Sequence, residues 1–167
     1  FQCTLDNSAP TPCTSPFTRT LTDGAHSFSV RAMDSAGMTD STPAEKLWSI
    51  DTVAPSTELT ETPPAADNSA MVTFRFTSNE MNVTFSCSLD GSDYSPCSSP
   101  ATYPDLADGS HSFAVRATDT ADNIGPAMVR EFVVDTVAPD ATITSGPNGT
   151  VYTNRVSFDF ASDEANV

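Results

Sequence analysis

Apolar and polar residues alternate along most of the chain, which is the pattern of half-buried β-strands. Val72, Phe74 and Phe76 share one face, and the same alternation runs over residues 83–89 and 111–117. Further short strands are predicted near Leu59, near Thr102 and Tyr103, and over residues 129–134. The pattern predicts an all-β fold, an Ig-like sandwich of about seven short strands separated by Asp-Gly and similar turns.

The sequence repeats itself with a period of 84 residues. Residues 1–6 (FQCTLD) return as residues 85–90 (FSCSLD), and DTVAP at residues 51–55 returns unchanged at residues 135–139. Between them, LTDGAHSFSVRA of the first copy returns as LADGSHSFAVRA after one inserted residue. A fixed period of this kind indicates sandwiches arranged in tandem, one structural unit per repeat.

The period divides the chain into one complete repeat and two partial ones. Residues 1–50 are the C-terminal part of a first repeat, 51–55 a linker, 56–139 the complete repeat, and 140–167 the N-terminal strands of a third. The chain starts at Phe1 without the pattern of a signal peptide, so we expect the N-terminus of its parent protein to lie upstream. The sequence therefore predicts a segment of a longer array.

The recurring motifs are Phe-x-Cys-x-Leu-Asp, Pro-Cys-x-Ser-Pro, Leu-x-Asp-Gly-x-His-x-Phe-x-Val-Arg-Ala-x-Asp and Asp-Thr-Val-Ala-Pro. With these motifs the chain resembles the tandem Ig-like repeats of large bacterial and microalgal surface proteins, whose sandwiches are similar in shape to fibronectin type III domains. The resemblance implies a secreted or cell-surface, multi-repeat array without catalytic activity, an adhesin-type stalk or spacer. Its first partners would be the neighbouring repeats of the same chain.

Four cysteines form two equivalent pairs, Cys3 with Cys13 and Cys87 with Cys97, each ten residues apart. A hairpin turning at Asp90-Gly91 brings the second pair across from each other, which predicts one disulfide per repeat. Closing so short a loop contributes roughly 3 kcal/mol in the chain-entropy model. Reduced thiols are the alternative, and a zinc site fits less well because no Cys-x-x-Cys or neighbouring His is present. Disulfides would indicate an oxidising compartment.

The two histidines, His26 and His111, occupy the same position in successive repeats. Ig-like folds often have a tyrosine there, whose polar end hydrogen-bonds to nearby backbone at the start of a strand. A catalytic role lacks support, because no Gly-x-Ser-x-Gly, Gly-rich phosphate loop or His-Glu-x-x-His motif is present. We therefore predict structural histidines, no catalytic residues and no enzymatic activity.

The charge and hydrophobicity of the chain exclude nucleic acids and membrane insertion. The chain has 22 acidic and 7 basic side chains, a net charge of −15. Nucleic-acid binding needs clustered Lys and Arg, so nucleic-acid partners are excluded. No apolar run approaches the roughly 18 residues that span a bilayer, which predicts no membrane insertion in this segment.

Acidic residues near the linker predict a calcium site. In an Ig-like sandwich two loops and the incoming chain meet at the same pole, and here all three are acidic. Calcium takes about six to eight oxygen ligands from carboxylates, carbonyls and water, and the resembling adhesins and cadherins are stiffened by such ions. The predicted ligands are Asp51, Glu80, Asp119 and Asp122, with Asp135 and Glu164 at the following junction. The alternative is that these residues only stabilise turns.

A ligand-binding module is the second functional interpretation, with a cell-surface glycan or protein as its partner. It would need an exposed aromatic patch. The candidates are Tyr94 and Tyr103, whereas Trp48 matches Phe132 and is expected in the core. Two sequons, at Asn82 and Asn148, would permit N-glycosylation in a eukaryotic source, and we assign no role to either.

Overall fold

The computed structural model describes residues 1–164, which form fourteen β-strands and no helix. In residues 1–50 the strands are β1 (Gln2–Leu5), β2 (Thr11–Pro12), β3 (Gly24–Arg31) and β4 (Ala44–Ile50). In residues 56–139 they are β5 (Thr57–Glu61), β6 (Ala66–Asp67), β7 (Val72–Ser78), β8 (Thr84–Leu89), β9 (Ser95–Cys97), β10 (Ala101–Tyr103), β11 (Gly109–Thr118) and β12 (Met128–Val134). The last two strands are β13 (Ala141–Ser145) and β14 (Asp159–Ser162). Across residues 1–164, we find no helix with the length and apolar character needed to cross a membrane.

Residues 56–139 fold into two facing sheets. One has the order β10-β7-β5, and the other has the order β6-β12-β11-β8-β9. Paired strands are antiparallel, except that the short β6 runs parallel to β12. A three-stranded sheet packed on a larger one in this order is the Ig-like or fibronectin type III-like sandwich, so the predicted fold class is confirmed.

Phenylalanines from both sheets fill the space between them. The alternation in β7 directs Val72, Phe74 and Phe76 inward, and all three are buried. The Phe74 ring stacks on Phe113 of the facing sheet, with 3.9 Å between centroids, and Phe76 packs edge-on against Phe85 at 4.9 Å. Offset stacking and edge contacts are the favoured geometries of aromatic pairs, and they fix how the two sheets pack.

The alternation did not predict two of the strands, β6 and β9. Strand β6 is only two residues long, and β9 contains Pro96. Proline cannot donate a ladder hydrogen bond, so it is confined to sheet edges, and β9 is the outermost strand of its sheet. Local propensity therefore argued against a strand that the pairing with β8 stabilises.

Residues 1–50 form one sheet, in the order β2-β1-β3-β4. It corresponds strand by strand to β9-β8-β11-β12 of the complete repeat. Residues 17–19, which correspond to β10, form no strand. In the complete repeat β10 pairs with β7, and no β7 counterpart pairs with residues 17–19 among the described residues. The inner face of this sheet, hereafter the open face, is therefore not covered by a second sheet.

Residues 140–164 contain a two-stranded antiparallel sheet, β13 with β14. The strands correspond to β5 and β7 of the complete repeat. Ile143 lies opposite Phe160, just as Leu59 lies opposite Phe76. The hairpin therefore has the register of the complete repeat, but its apolar side chains are largely exposed.

Candidate functional site

The linker at residues 51–55 lies directly against the complete repeat. Pro55 is fully buried, and a Cβ atom on Gly125 would lie 1.9 Å from the Pro55 carbonyl oxygen. Only glycine permits this close approach of two backbones. On the other side, Asn79 Oδ1 accepts a 2.7 Å hydrogen bond from the Ser56 amide. The end of the linker is thus positioned between two loops of the sandwich.

The loop from Asp119 to Asn123 completes this junction. Asp119 Oδ1 accepts hydrogen bonds from the amides of Ala121 at 2.8 Å and Asn123 at 2.9 Å, which closes the turn between β11 and β12. The Asn123 side-chain nitrogen donates to Asp119 Oδ2 at 2.8 Å and to the Asp51 carbonyl at 3.0 Å. Asn123 therefore connects the loop to the linker.

Three of the four predicted calcium ligands come together at this junction. One carboxylate oxygen from each of Asp51, Glu80 and Asp119 lies within 4.8 Å of the other two. Asp119 is buried, and the hydrogen bond from the Asn123 side chain, with those from the loop amides, lowers its pKa despite that burial. Its carboxylate is therefore ionised at neutral pH.

The donor set fits a hard cation. All three groups are carboxylates, the ligand type that Ca²⁺ prefers, and they come from two loops and the linker. A carboxylate has about four lone-pair positions, and the three hydrogen bonds to Asp119 leave one for a cation. Glu80 is half-buried, and no described residue donates a hydrogen bond to its carboxylate. Asp119 and Glu80 therefore each retain carboxylate lone pairs with which to bind a cation.

The structure does not bring the fourth predicted ligand, Asp122, into this group of carboxylates. Its backbone has a φ of 67°, which places it at the tip of the turn that Asp119 closes, and it is exposed. Sequence reasoning also missed Asn123. The sequence does not single it out, because which of Asp122 and Asn123 faces the linker depends on the positive φ of Asp122.

The second junction repeats part of this arrangement. Burial raises the pKa of Glu164, and the nearby Asp135 and Asp163 carboxylates raise it further. Glu164 and Asp135 correspond to Glu80 and Asp51, so both junctions bring negative charges together. The 167 residues hold no counterpart of Asp119 for this second junction.

His111 makes the backbone contact expected of a residue at a strand start. Its Nε2 lies 2.8 Å from the Ala107 carbonyl, and its Nδ1 lies 2.8 Å from Asp90 Oδ2. The other Asp90 oxygen accepts the Ser112 amide at 2.9 Å. Because a carbonyl and an ionised carboxylate only accept, both ring nitrogens donate, and the imidazolium form is favoured.

The charge states of this pair follow from the contacts. The Ala107 carbonyl, and after it the Asp90 carboxylate, raise the pKa of His111. Partial burial opposes ionisation of Asp90, but the hydrogen bonds from Ser112 and His111 outweigh it and lower the pKa of Asp90. A histidine that donates from both nitrogens has no lone pair with which to act as a general base or metal ligand.

The first repeat has the same histidine contacts. His26 Nε2 is 2.7 Å from the Thr22 carbonyl, and its Nδ1 is 2.9 Å from Asp6 Oδ2. The Thr22 carbonyl and the Asp6 side chain raise the pKa of His26. The contact therefore forms in a sheet that has no second sheet packed on it.

Both predicted disulfides are present, Cys3–Cys13 and Cys87–Cys97. Cys87–Cys97 joins the neighbouring strands β8 and β9, whereas Cys3 lies in β1 and Cys13 directly follows β2. In the ladder, Cys87 faces Ser95 and Cys97 faces Phe85, so the bridge runs diagonally between β8 and β9. It therefore fastens the edge strand, and it fits a protein of an oxidising compartment.

The aromatic candidates for ligand binding do not form a patch. Tyr103 packs against the core rings Phe74 and Phe113. Tyr94 lies under the guanidinium of Arg116, 4.0 Å from its ring centre. Trp48 was expected in a core and is instead half-buried on the open face, because no sheet covers it there.

These features define an Ig-like, fibronectin type III-like sandwich module with a carboxylate cluster at its junction. Among solved structures the chain is similar to one described as fibronectin(III)-like modules of Clostridium thermocellum CbhA. The identity is 18%, the match covers 80% of this chain and 77% of that one, and the TM-score is 0.44. No family model and no curated protein matches the chain.

Proposed function

We propose that the chain is a segment of a secreted or cell-surface protein in which Ig-like sandwiches in tandem form a stiff, non-catalytic stalk or spacer of the adhesin type. The observation that carries the proposal is the linker packed into the complete repeat, with Pro55 buried against Gly125. On the other side, the Thr52 hydroxyl donates to Asp23 of the first repeat at 2.9 Å, so the linker would transmit the orientation of one repeat to the next. A flexible tether between independent binding modules would not need these contacts.

The remaining features support an extracellular setting. Each of the two repeats has one disulfide at the edge of its sheet, which fits an oxidising environment. The net charge of −15 keeps a long array soluble and discourages association with other polyanions. The ligand-binding alternative has less support, because Tyr103 packs into the core and Arg116 covers Tyr94.

Within the stalk, we propose that calcium stiffens the junction by binding Asp51, Glu80 and Asp119. The geometry supports this because three carboxylates within 4.8 Å repel each other unless a cation is bound. Asp51 belongs to the linker, whereas Glu80 and Asp119 belong to the complete repeat. An ion shared among them would therefore join the linker to the sandwich.

Thermal unfolding of the 167-residue chain with calcium, and then with a chelator, tests this site. A ligand present at about 100 times its Kd stabilises the folded state by about 2.7 kcal/mol, so a clear rise in Tm is expected. Glu80→Gln should abolish most of the rise, because it removes one carboxylate that carries no hydrogen bond from a described residue.

The matched control is Glu58→Gln, the same change at an exposed residue of β5. It should leave the calcium-dependent rise intact. A Tm that calcium does not change, or an equal rise in the Glu80→Gln variant, would contradict the calcium site. The stalk itself would then have to be judged from the mobility of the linker.

A further inference from the structure

The loop between β7 and β8 of the complete repeat carries a motif that neither the stalk nor the calcium site uses. Asn82, Val83 and Thr84 form an Asn-x-Thr sequon, the acceptor sequence for N-linked glycans. A second sequon starts at Asn148. Both meet the minimal sequence requirement, so the surroundings of each asparagine have to separate them.

Asn82 is exposed and makes no side-chain contact that a substituent would break. Its neighbour Met81 is 88% exposed, and Thr84, the first residue of β8, is exposed as well. The side-chain hydrogen bonds of this loop are made by Ser78 and Asn79, and none in the described part of the chain involves Asn82. A bulky group on the Asn82 side-chain nitrogen is therefore compatible with the folded repeat.

The residue two positions before each asparagine separates the two sequons. Glu80 precedes Asn82 in this way, whereas Gly146 precedes Asn148. Bacterial enzymes that transfer glycans to asparagine require an acidic residue at that position, and eukaryotic enzymes need only the sequon. Asn82 therefore meets the requirement of both classes of enzyme, and Asn148 meets that of one.

From these observations we propose that Asn82 is an N-glycosylation site, with an oligosaccharide on a lipid pyrophosphate as the donor. In the transfer, Asn82 Nδ2 forms a bond to the first sugar carbon, and the bond from that carbon to the pyrophosphate oxygen breaks. Nδ2 loses one proton, and the lipid pyrophosphate is the leaving group. The proposal rests on the secreted or cell-surface destination proposed above and does not use the calcium site.

A glycan at Asn82 lies near the junction between repeats. Glu80, in the same loop, has a carboxylate oxygen within 4.8 Å of one from Asp51 in the linker. Residues 51–54 of the linker are exposed, and exposed connecting segments are preferred sites of proteolytic cleavage. A bulky, soluble glycan beside them shields the linker of a stalk that lies outside the cell.

Secretion of the 167-residue chain from a eukaryotic cell, behind a cleavable signal peptide, tests the proposal. We expect peptide mapping by mass spectrometry to find a glycan on Asn82, which peptide N-glycosidase removes while converting Asn82 to aspartate. Asn82→Gln and Thr84→Ala should each abolish this glycan, because the first removes the acceptor and the second removes the hydroxyl of the sequon. Thr84→Ser retains the hydroxyl and should retain the glycan.

The matched control is Asn68→Gln, the same change at an exposed asparagine that lies outside any sequon. It should keep the Asn82 glycan. Since Asn82 has a φ of 61°, Asn82→Gln strains the loop, and Thr84→Ala tests the site without that strain. Protease cleavage within the linker should also be faster in Thr84→Ala than in the unchanged chain.

A folded chain in the medium that carries no glycan on Asn82 would overturn the proposal and leave the stalk function standing. A glycan that persists on Asn82 in Thr84→Ala would overturn it as well. Equal rates of linker cleavage in Thr84→Ala and the unchanged chain would contradict the shielding of the linker.

Discussion

The complete repeat and residues 1–50 contain the same four-stranded arrangement. In the complete repeat a second sheet packs on it, and among the described residues none packs on the sheet of residues 1–50. Both have the four paired strands, the diagonal disulfide and the histidine between a carbonyl and a carboxylate. Phe113 is fully buried in the complete repeat, whereas its counterpart Phe28 is only half-buried. The ladder, the bridge and the histidine contact are therefore local to one sheet, while the core and β10 depend on the second sheet.

A second difference lies in the loop that meets the linker. Asp34 Oδ1 accepts the amides of Ala36 and Met38, both at 2.9 Å, just as Asp119 closes its own loop. The first repeat, however, has Met38 and Asp40 where the complete repeat has Asn123 and Gly125. The turn-closing aspartate is thus common to both repeats, whereas Asn123 and Gly125 are specific to the loop that contacts the linker.

Truncation of the central phenylalanine should give the largest difference in stability between the two repeats. Phe113→Ala removes a fully buried ring that stacks on Phe74, and such changes cost about 3 to 5 kcal/mol. Phe28→Ala should cost much less, because Phe28 is half-buried. Denaturant unfolding of both variants measures the difference. Equal losses would show that the open face is covered in solution.

Gly125→Ala should have the next largest effect, and it should act on the junction. The new Cβ would lie 1.9 Å from the Pro55 carbonyl, so the linker has to move, at a cost of about 1 to 3 kcal/mol. Hydrogen exchange of the linker amides should become faster, while exchange in β11 should stay slow. Asp40→Gly, the opposite change at the equivalent site, is the control and should leave linker exchange unchanged.

The pH dependence of His111→Gln should be the smallest of these effects. The raised pKa of His111 gives stability that is fully present below its ordinary value of 6.5 and is lost as pH rises through the folded-state pKa. The lowered pKa of Asp90 gives stability that is present above its ordinary value of 3.8 and is lost as pH falls through the folded-state pKa.

The unchanged chain should therefore exceed His111→Gln in unfolding free energy most clearly between about pH 4 and 6.5. The advantage should shrink as the pH rises above that range. Urea unfolding of both proteins across the pH range measures it. An advantage that stays constant with pH would show that His111 contributes by packing alone.

Much of the fold could be predicted from the sequence. Alternation marks individual strands, and the 84-residue period shows that the same strands recur. Strand β7 follows directly from Val72, Phe74 and Phe76, and the disulfides follow from the cysteine spacing. Strand β9 does not follow from alternation, since Pro96 argues against a strand, but the predicted hairpin at Asp90-Gly91 already places Cys97 opposite β8. The exposure of Trp48 could not be predicted from local sequence pattern either, because it depends on which strands pack on the sheet.

The candidate site was accessible only in part. The loop positions of an Ig-like sandwich predicted that Asp51, Glu80 and Asp119 lie near each other, and their carboxylates are within 4.8 Å of one another, while calcium binding there stays a prediction. Asp122 and Asn123 are neighbours in sequence, and which of them faces the linker depends on a backbone φ of 67° at Asp122. The role of Gly125 depends on the approach of a backbone 70 residues away in sequence, and composition carries no signal for it.

The central claim is that the linker is fixed to the complete repeat, and backbone ¹⁵N relaxation of the 167-residue chain tests it most directly. The account predicts order parameters of about 0.85 through residues 51–56, equal to those of β11. It also predicts that β3 and β11 tumble together. Linker order parameters below about 0.6, with separate tumbling of the two sheets, would contradict a stiff stalk.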